Sequence, residues 1–300
     1  MPFAGLELSP FTFSAIGAVC ALASGMACYL LRDPARRFDL VARSRRDRFG
    51  SGQIPLVGGP ALGIGCLVAL LATRPEGVTG PLVLAGLFLL VGLLDDLFEY
   101  RAGVKIALQA VAALMGVLLI VTSWSHVGLA FLVVLLLVNA CNYLDNMDAL
   151  LSGVTLVLAL GLVLVPFGGH VGSTLLIWAL PGVFFFTLPP ARVYLGDSGS
   201  HLIGALLAVD VIDLLIDPMV GVRGDRMLAL LLLFAVPIAD VATVTISRRR
   251  RGRPIFRGGT DHISHRLVRN GFSVPGAVGL LVLASAVCTV AALLLFYRSS

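Results

Sequence analysis

The apolar residues of this chain come in long, unbroken runs, and that pattern restricts its fold more than any other feature. A helix needs about 20 mostly apolar residues to cross the hydrocarbon of a bilayer. Ten such runs lie near residues 11–31, 54–73, 81–97, 104–122, 128–146, 150–167, 172–188, 199–216, 227–246 and 274–296. They lack the two-residue alternation of barrel strands. Composition agrees, since 58% of the chain is apolar and only 13% is charged. A water-soluble domain carries about a quarter charged residues, whereas here the mean hydropathy is +0.98. A soluble enzyme, a disordered chain and a disulfide scaffold are excluded. The expectation is an all-α polytopic membrane protein with about ten transmembrane helices.

Orientation follows from the basic residues. Eighteen of the 22 Lys and Arg fall in connections that face one side of a ten-span arrangement, seven of them Arg between Arg32 and Arg48 and eight between Arg248 and Arg269. Positive charge stays in the cytoplasm, so both termini are expected outside. The same bias accounts for most of the net charge of +5 without a nucleic-acid partner. For Arg248–Arg251 a topogenic reading stands beside contact with anionic headgroups or substrate phosphates. The first ten residues hold Glu7 and no Lys or Arg, so no secretory signal with a basic start is expected. The five cysteines lie in apolar runs without metal-type spacing and read as small core residues.

Ionisable residues at helix depth mark functional sites by default, and here they form four clusters. Asp95 and Asp96 end the third run, and Asn142, Asp145 and Asp148 close the fifth. Asp197 opens the eighth in LGDSGS, and Asp261, His262 and His265 follow the ninth. The charge bias puts all four on the cytoplasmic face. Asp95 and Asp96 sit where the helix dipole disfavours negative charge, so a cation is expected between or beside them. Asn142, Asp145 and Asp148, three apart, would sweep one helix face, offering oxygens to a hard cation or to a nucleoside. The alternative is a plain cap between two helices. The Asp197 turn can present N–H groups to an oxyanion. His262 and His265 stand among Arg257, Arg266 and Arg269, a setting for an anion. Oxygen donors dominate, which favours Mg²⁺ over zinc and suggests phosphoryl transfer between a soluble phosphate compound and a lipid.

Six motifs carry a family resemblance: IPLVGG at 54–59, LLDD at 93–96, KIALQ at 105–109, NACNYLDNMDAL, YLGDSGS and RPIFRGGTDHISHRL. In order and spacing they resemble the polyprenyl-phosphate N-acetylhexosamine-1-phosphate transferases, which start bacterial cell-envelope glycans. The resemblance implies one integral-membrane transferase domain over residues 1–300, in the bacterial plasma membrane, with its active site on the cytoplasmic face. It implies transfer of a sugar-1-phosphate from a UDP-N-acetylhexosamine, GlcNAc by default, to undecaprenyl or another polyprenyl phosphate, releasing UMP. Mg²⁺ is the implied cofactor, with Mn²⁺ as a substitute; a homodimer is left open and no nucleic acid is expected. By the same resemblance Asp197 is the principal metal ligand, helped by Asn142. Asp95 positions or deprotonates the lipid phosphate, with Asp96 in support. Asn142, Asp145 and Asp148 form the nucleotide face, and Lys105 neutralises phosphate charge. His262, His265 and Arg266 contact the diphosphate or sugar.

The chain departs from the family where Ala149 replaces a glycine and Ser264 a histidine, and it lacks the histidine run of the muramoyl-pentapeptide branch. Asp210 and Asp213 read as structural, pairing with Arg223 or Arg226; Asp240 lies near enough to the inner face to support the site. His126, His170 and His201 read as structural or solvated. An ion-coupled transporter and an intramembrane aspartyl protease are the rival readings. The acids crowd one face, with no internal repeat for a transporter, and no Tyr-Asp motif accompanies the LGD for a protease.

Overall fold

The computed structural model describes residues 9–42, 53–216, 224–254 and 259–298. Each of the ten apolar runs folds as helix, giving α1 (Pro10–Arg37), α2 (Gly58–Thr73), α3 (Thr79–Phe98), α4 (Ala102–Ile120), α5 (Trp124–Leu144), α6 (Leu150–Val163), α7 (Val171–Thr187), α8 (Gly196–Ile216), α9 (Gly224–Leu233), α10 (Ala235–Arg250) and α12 (Val274–Arg298). A short α11 (Ile263–Arg269) precedes the last of these. Two two-residue strands, β1 (Val41–Ala42) and β2 (Ile54–Pro55), pair antiparallel between α1 and α2.

The ninth run is not one straight helix: α9 and α10 meet at 74°. Pro237 stands in the first turn of α10, where it cannot donate a hydrogen bond to the carbonyl four residues back and its ring crowds that carbonyl. Six helices (α1, α3, α4, α5, α8 and α12) are long and apolar enough to cross a membrane, and the bent pair makes a seventh. The shorter apolar helices α2, α6 and α7 have 16, 14 and 17 residues. At 1.5 Å per residue they reach about 21–26 Å, short of the roughly 30 Å hydrocarbon. Length alone therefore accounts for six or seven spans where ten are expected from the sequence.

α8 is the axis of the bundle. It is buried along nearly its whole length, as a helix packed on every side must be. Around it stand α2, α3, α5, α6 and α7. Close approach is made possible by glycine at the crossings. A Cβ on Gly92 of α3 would collide with the Asp197 carbonyl, and one on Gly204 would lie 2.5 Å from the Val138 Cα of α5. At the far end of α8, Asp210 accepts the Gly172 and Ser173 N–H groups at 2.8 and 2.7 Å, while Asp213 accepts that of Gly169. Both carboxylates thus serve the start of α7. Of their expected partners, Arg223 lies outside the described residues, and the Arg226 guanidinium sits 4.6 Å from the centre of the Phe167 ring.

Candidate active site

At the opposite end of α8 the chain brings together the C-terminus of α3, the N-terminus of α4, the C-terminus of α5 and the Asp197 turn. The Lys105 ammonium stands between two carboxylates, 2.8 Å from Asp95 Oδ2 and 2.6 Å from Asp197 Oδ2. The other Asp197 oxygen accepts the Asn142 amide at 2.5 Å, and that amide also donates to Ser200 Oγ at 3.1 Å. Two partly desolvated carboxylates this close would repel each other; the shared cation offsets that repulsion. Lys105 is the only lysine in the chain, every other basic residue of the 22 being Arg. That singularity was available in the sequence. It distinguishes a compact ammonium, a point charge with three donors, from the planar guanidinium used everywhere else.

Asp96 is used differently from its neighbour. Its two oxygens accept the N–H groups of Asp197 and Ser198, at 2.8 and 2.9 Å. A carboxylate at the C-terminus of α3 is unfavourable, but the same carboxylate lies at the N-terminus of α8, where free N–H groups and the positive end of the dipole stabilise it. Gly196 makes this possible, with φ +72° and no Cβ, which would otherwise approach Asp96 Oδ2 to 2.7 Å. Of the Asp95–Asp96 doublet, the cation therefore meets only Asp95, whose other oxygen accepts the Tyr100 N–H at 2.9 Å. The IPLVGG segment clamps the same turn: Tyr194 N–H donates to Pro55, and Gly58 and Gly59 N–H groups donate to Tyr194 and Leu195, all at 2.9–3.0 Å.

The fifth-run acids do not share a helix face, which corrects the expectation from their spacing. α5 ends at Leu144, so only Asn142 remains helical. Asp and Asn side chains compete for nearby backbone groups and favour turns over helix interiors. Asp148, in the turn that follows, accepts the Ala191 N–H at 3.0 Å. Asn146 accepts the Ser264 hydroxyl at 2.5 Å and donates to the Tyr143 carbonyl at 2.8 Å. Ser264 is thus a buried tie between the α5 end and α11.

Ala149 precedes α6 in a left-handed conformation, φ +60°. The glycine that the resemblance leads one to expect at this position has a backbone reason here: a Cβ in that region costs about 1 kcal/mol. Ala149→Gly should raise the thermal midpoint of the detergent-solubilised protein by an amount corresponding to about 0.5–1 kcal/mol. A lowered midpoint in a fluorescence melt would refute this account of Ala149.

The fourth cluster folds against the α5 end from α10 and α11. Asp240 Oδ2 lies 2.7 Å from His262 Nδ1, and Oδ1 accepts the Ile263 N–H at 2.8 Å. The carboxylate therefore orients His262 and starts α11 at once. The His262 ring meets Tyr143 edge-on at 6.1 Å and stands 5.7 Å from His265. Asp261 binds Ser247 at 3.1 Å, Arg248 at 3.4 Å and Arg251 at 2.9 Å. Burial pushes its carboxyl up, but these hydrogen bonds and the charges of Arg251 and Arg248 outweigh that and hold it below the ordinary carboxylate range. In the Arg248–Arg251 run, two guanidinium groups are engaged with Asp261, which adds a structural role to the topogenic one. Arg266 Nε donates to the Asp261 carbonyl at 3.1 Å. Arg257 lies outside the described residues.

Below the Lys105 cluster is a largely buried polar group whose grouping the sequence reading missed. Gln109 of α4 is hydrogen-bonded to both Asn139 of α5 and His201 of α8. Their spacing from Lys105, Asn142 and Asp197, one helical turn in each case, was the available signal.

Comparison with known proteins matches the model of glycosyl transferase family 4 to residues 78–215. The stretch runs from the start of α3 nearly to the end of α8, so it contains Asp95, Asp96, Lys105, Asn142 and Asp197. Among curated proteins, the chain is 35% identical over 272 residues to the "Putative glycosyltransferase SCO3672" of Streptomyces coelicolor, covering 87% of this chain and 64% of that protein. It is 29% identical over 294 residues to the undecaprenyl-phosphate alpha-N-acetylglucosaminyl 1-phosphate transferase of Salmonella typhi, with 86% of this chain and 77% of that one covered. The Escherichia coli K12 protein of the same name is 27% identical over 290 residues, with the same shares covered.

Proposed function

We propose that the chain, whose residues 78–215 match the model of glycosyl transferase family 4, is a phosphotransferase of cell-envelope glycan synthesis. It moves an N-acetylhexosamine-1-phosphate, GlcNAc-1-phosphate first among them, from a UDP-sugar to undecaprenyl or another polyprenyl phosphate and releases UMP. The observation that carries this reading is the lone lysine held between Asp95 and Asp197 at one end of the bundle. A reaction between two phosphate compounds needs fixed positive charge, and a lipid substrate needs it at a membrane surface. The protein lies in the bacterial plasma membrane with ten spans, α2, α6 and α7 included, and both termini outside. Supporting a cytoplasmic site, Arg36 and Arg37 end α1 and Arg248–Arg250 end α10, on connections that lead to the site.

The donor set suits Mg²⁺, which takes one or two carboxylates and completes its shell with phosphates and water. Asp197, helped by Asn142, would hold the ion, with Mn²⁺ as a substitute, and it would supply charge neutralisation at the diphosphate. Asn142, bonded to Asp197, orients that carboxylate. Lys105 neutralises phosphate oxygens, and Asp95 orients the lipid phosphate. With a second pKa of about 6, that phosphate is already nucleophilic at neutral pH. Its oxygen attacks the sugar-side phosphorus, a new anhydride bond forms, and the bond to the UMP oxygen breaks with its electron pair leaving on UMP. Asp148 serves the nucleotide side with Asp145, and His262, His265 and Arg266 the diphosphate or sugar.

The test is UMP release by purified protein in detergent with polyprenyl phosphate and UDP-GlcNAc. Release should need the lipid and should stop when EDTA removes divalent ions. Silence across a panel of UDP-N-acetyl sugars, in protein that elutes as a folded species, would overturn the reading. Trapping a phosphorylated Asp95 without lipid present would replace direct attack by a double displacement.

A further inference from the structure

Three helices each send two polar side chains inward, one turn apart, and the six sort into two layers. The layer nearer the end of the bundle is Lys105 of α4, Asn142 of α5 and Asp197 of α8. α4 and α8 begin at that end and α5 finishes there, so one turn deeper means four residues on for α4 and α8 and three back for α5. Those positions are Gln109, His201 and Asn139. Asn139 Nδ2 donates to Gln109 Oε1 at 3.0 Å and to the Leu135 carbonyl at 2.8 Å. Gln109 Nε2 lies 2.7 Å from His201 Nε2. Because the Gln109 oxygen is taken by Asn139, its NH₂ is the donor, and His201 Nε2 accepts. Gln109 and His201 are both 0% exposed.

We propose that Gln109, His201 and Asn139 are positioning residues, a directional hydrogen-bonded layer that fixes the rotation of α4, α5 and α8 so that Lys105, Asn142 and Asp197 meet. Polar groups buried in an apolar interior are unfavourable unless bonded, and an apolar set would pack there at least as well. What the polar set adds is selectivity. Turning α4 by one residue rotates Gln109 by about 100°; His201 on α8 then loses its partner at Nε2, and Asn139 on α5 keeps only the Leu135 carbonyl. A single buried Asn fixes register in coiled coils by the same logic. The consequence for chemistry is direct, because a misplacement of about 1 Å costs about 100-fold in rate. The activity readout of this inference rests on the transferase reading above; a second readout does not.

Gln109→Leu, His201→Leu, their double variant and His201→Gln, which keeps an acceptor, are compared for UMP release. Lys105 supplies the independent probe: as the only lysine, it can be followed by mass spectrometry during acylation with an acetyl N-hydroxysuccinimide ester. Each Leu variant should lower kcat about 10- to 100-fold, with KM for UDP-GlcNAc within about twofold. The double should be no worse than the poorer single by more than about threefold, as for residues acting as a unit. Lys105 should acylate faster in the Leu variants, and His201→Gln should keep both wild-type rates. Unchanged kcat, raised KM at unchanged kcat, or losses that multiply in the double would overturn the proposal. If the wild type itself releases no UMP, the transferase reading fails, and the acylation rate decides alone: equal rates in wild type and Gln109→Leu overturn the layer. Should the Leu variants fail to fold, His201→Met against His201→Gln carries the same comparison.

Discussion

Asp197→Asn is expected to lower lipid-dependent UMP release by about 100- to 1,000-fold or more, in a protein that still folds. The carboxylate accepts from two donors at once, Lys105 on one oxygen and Asn142 on the other. An asparagine offers one acceptor, so its NH₂ must face either an ammonium or another amide. Lys105 then keeps only Asp95 as a counter-charge, and the principal proposed ligand for a divalent ion is neutral. The fold should survive, because Asp96 holds the backbone N–H groups of residues 197 and 198 and not the Asp197 side chain. Lys105→Met removes the cation from the same cluster and leaves Asp95 and Asp197 facing each other uncompensated. It should also lose activity, without shifting gel-filtration behaviour. An Asp197→Asn enzyme within tenfold of wild type, with lipid and UDP-GlcNAc saturating, would remove Asp197 from the chemistry.

The helical architecture was legible from hydropathy, since each apolar run became helix and the charge bias led to one end of the bundle. What hydropathy does not contain is how a polar side chain is spent. Asp95 and Asp96 look alike as a doublet, yet adjacent residues on a helix point about 100° apart and so must face different neighbours. One meets Lys105 and the other the start of α8. The end of α5 at Leu144 was hidden for a related reason: a spacing of three suits a helix, but DNMD is also turn chemistry, and the local competition was won by the turn. The break at Phe234 was signalled only by Pro237, three residues on. His201 reads as structural or solvated from the sequence; its partner Gln109 on α4, itself bonded to Asn139 on α5, required the three helices to be in place. Asp240, read as close enough to the inner face to support the site, holds His262.

Asp96→Ala should cost more in stability than any other single substitution in the cluster, and it separates the two aspartates experimentally. In wild type, one carboxylate satisfies two N–H groups at the start of the bundle's central helix, at 2.8 and 2.9 Å. Losing a helix cap costs about 1 kcal/mol, and each buried donor left without a partner costs about 1–3 kcal/mol. Over the two donors and the cap, the sum expected for Asp96→Ala is on the order of 3–7 kcal/mol, enough to lower detergent-solubilised yield and thermal midpoint sharply. Asp96→Asn keeps one acceptor oxygen but loses the charge that complements the α8 dipole, so it should fall between Ala and wild type. Asp95→Asn should show the converse pattern. It removes one partner of Lys105 from the end of α3, where negative charge is disfavoured, so the midpoint should change little while UMP release falls by at least about tenfold. The two substitutions are thus predicted to split: folded and impaired for residue 95, poorly folded for residue 96. Equal midpoints for Asp95→Asn and Asp96→Ala in a fluorescence-monitored melt would show that the α8 start does not depend on Asp96.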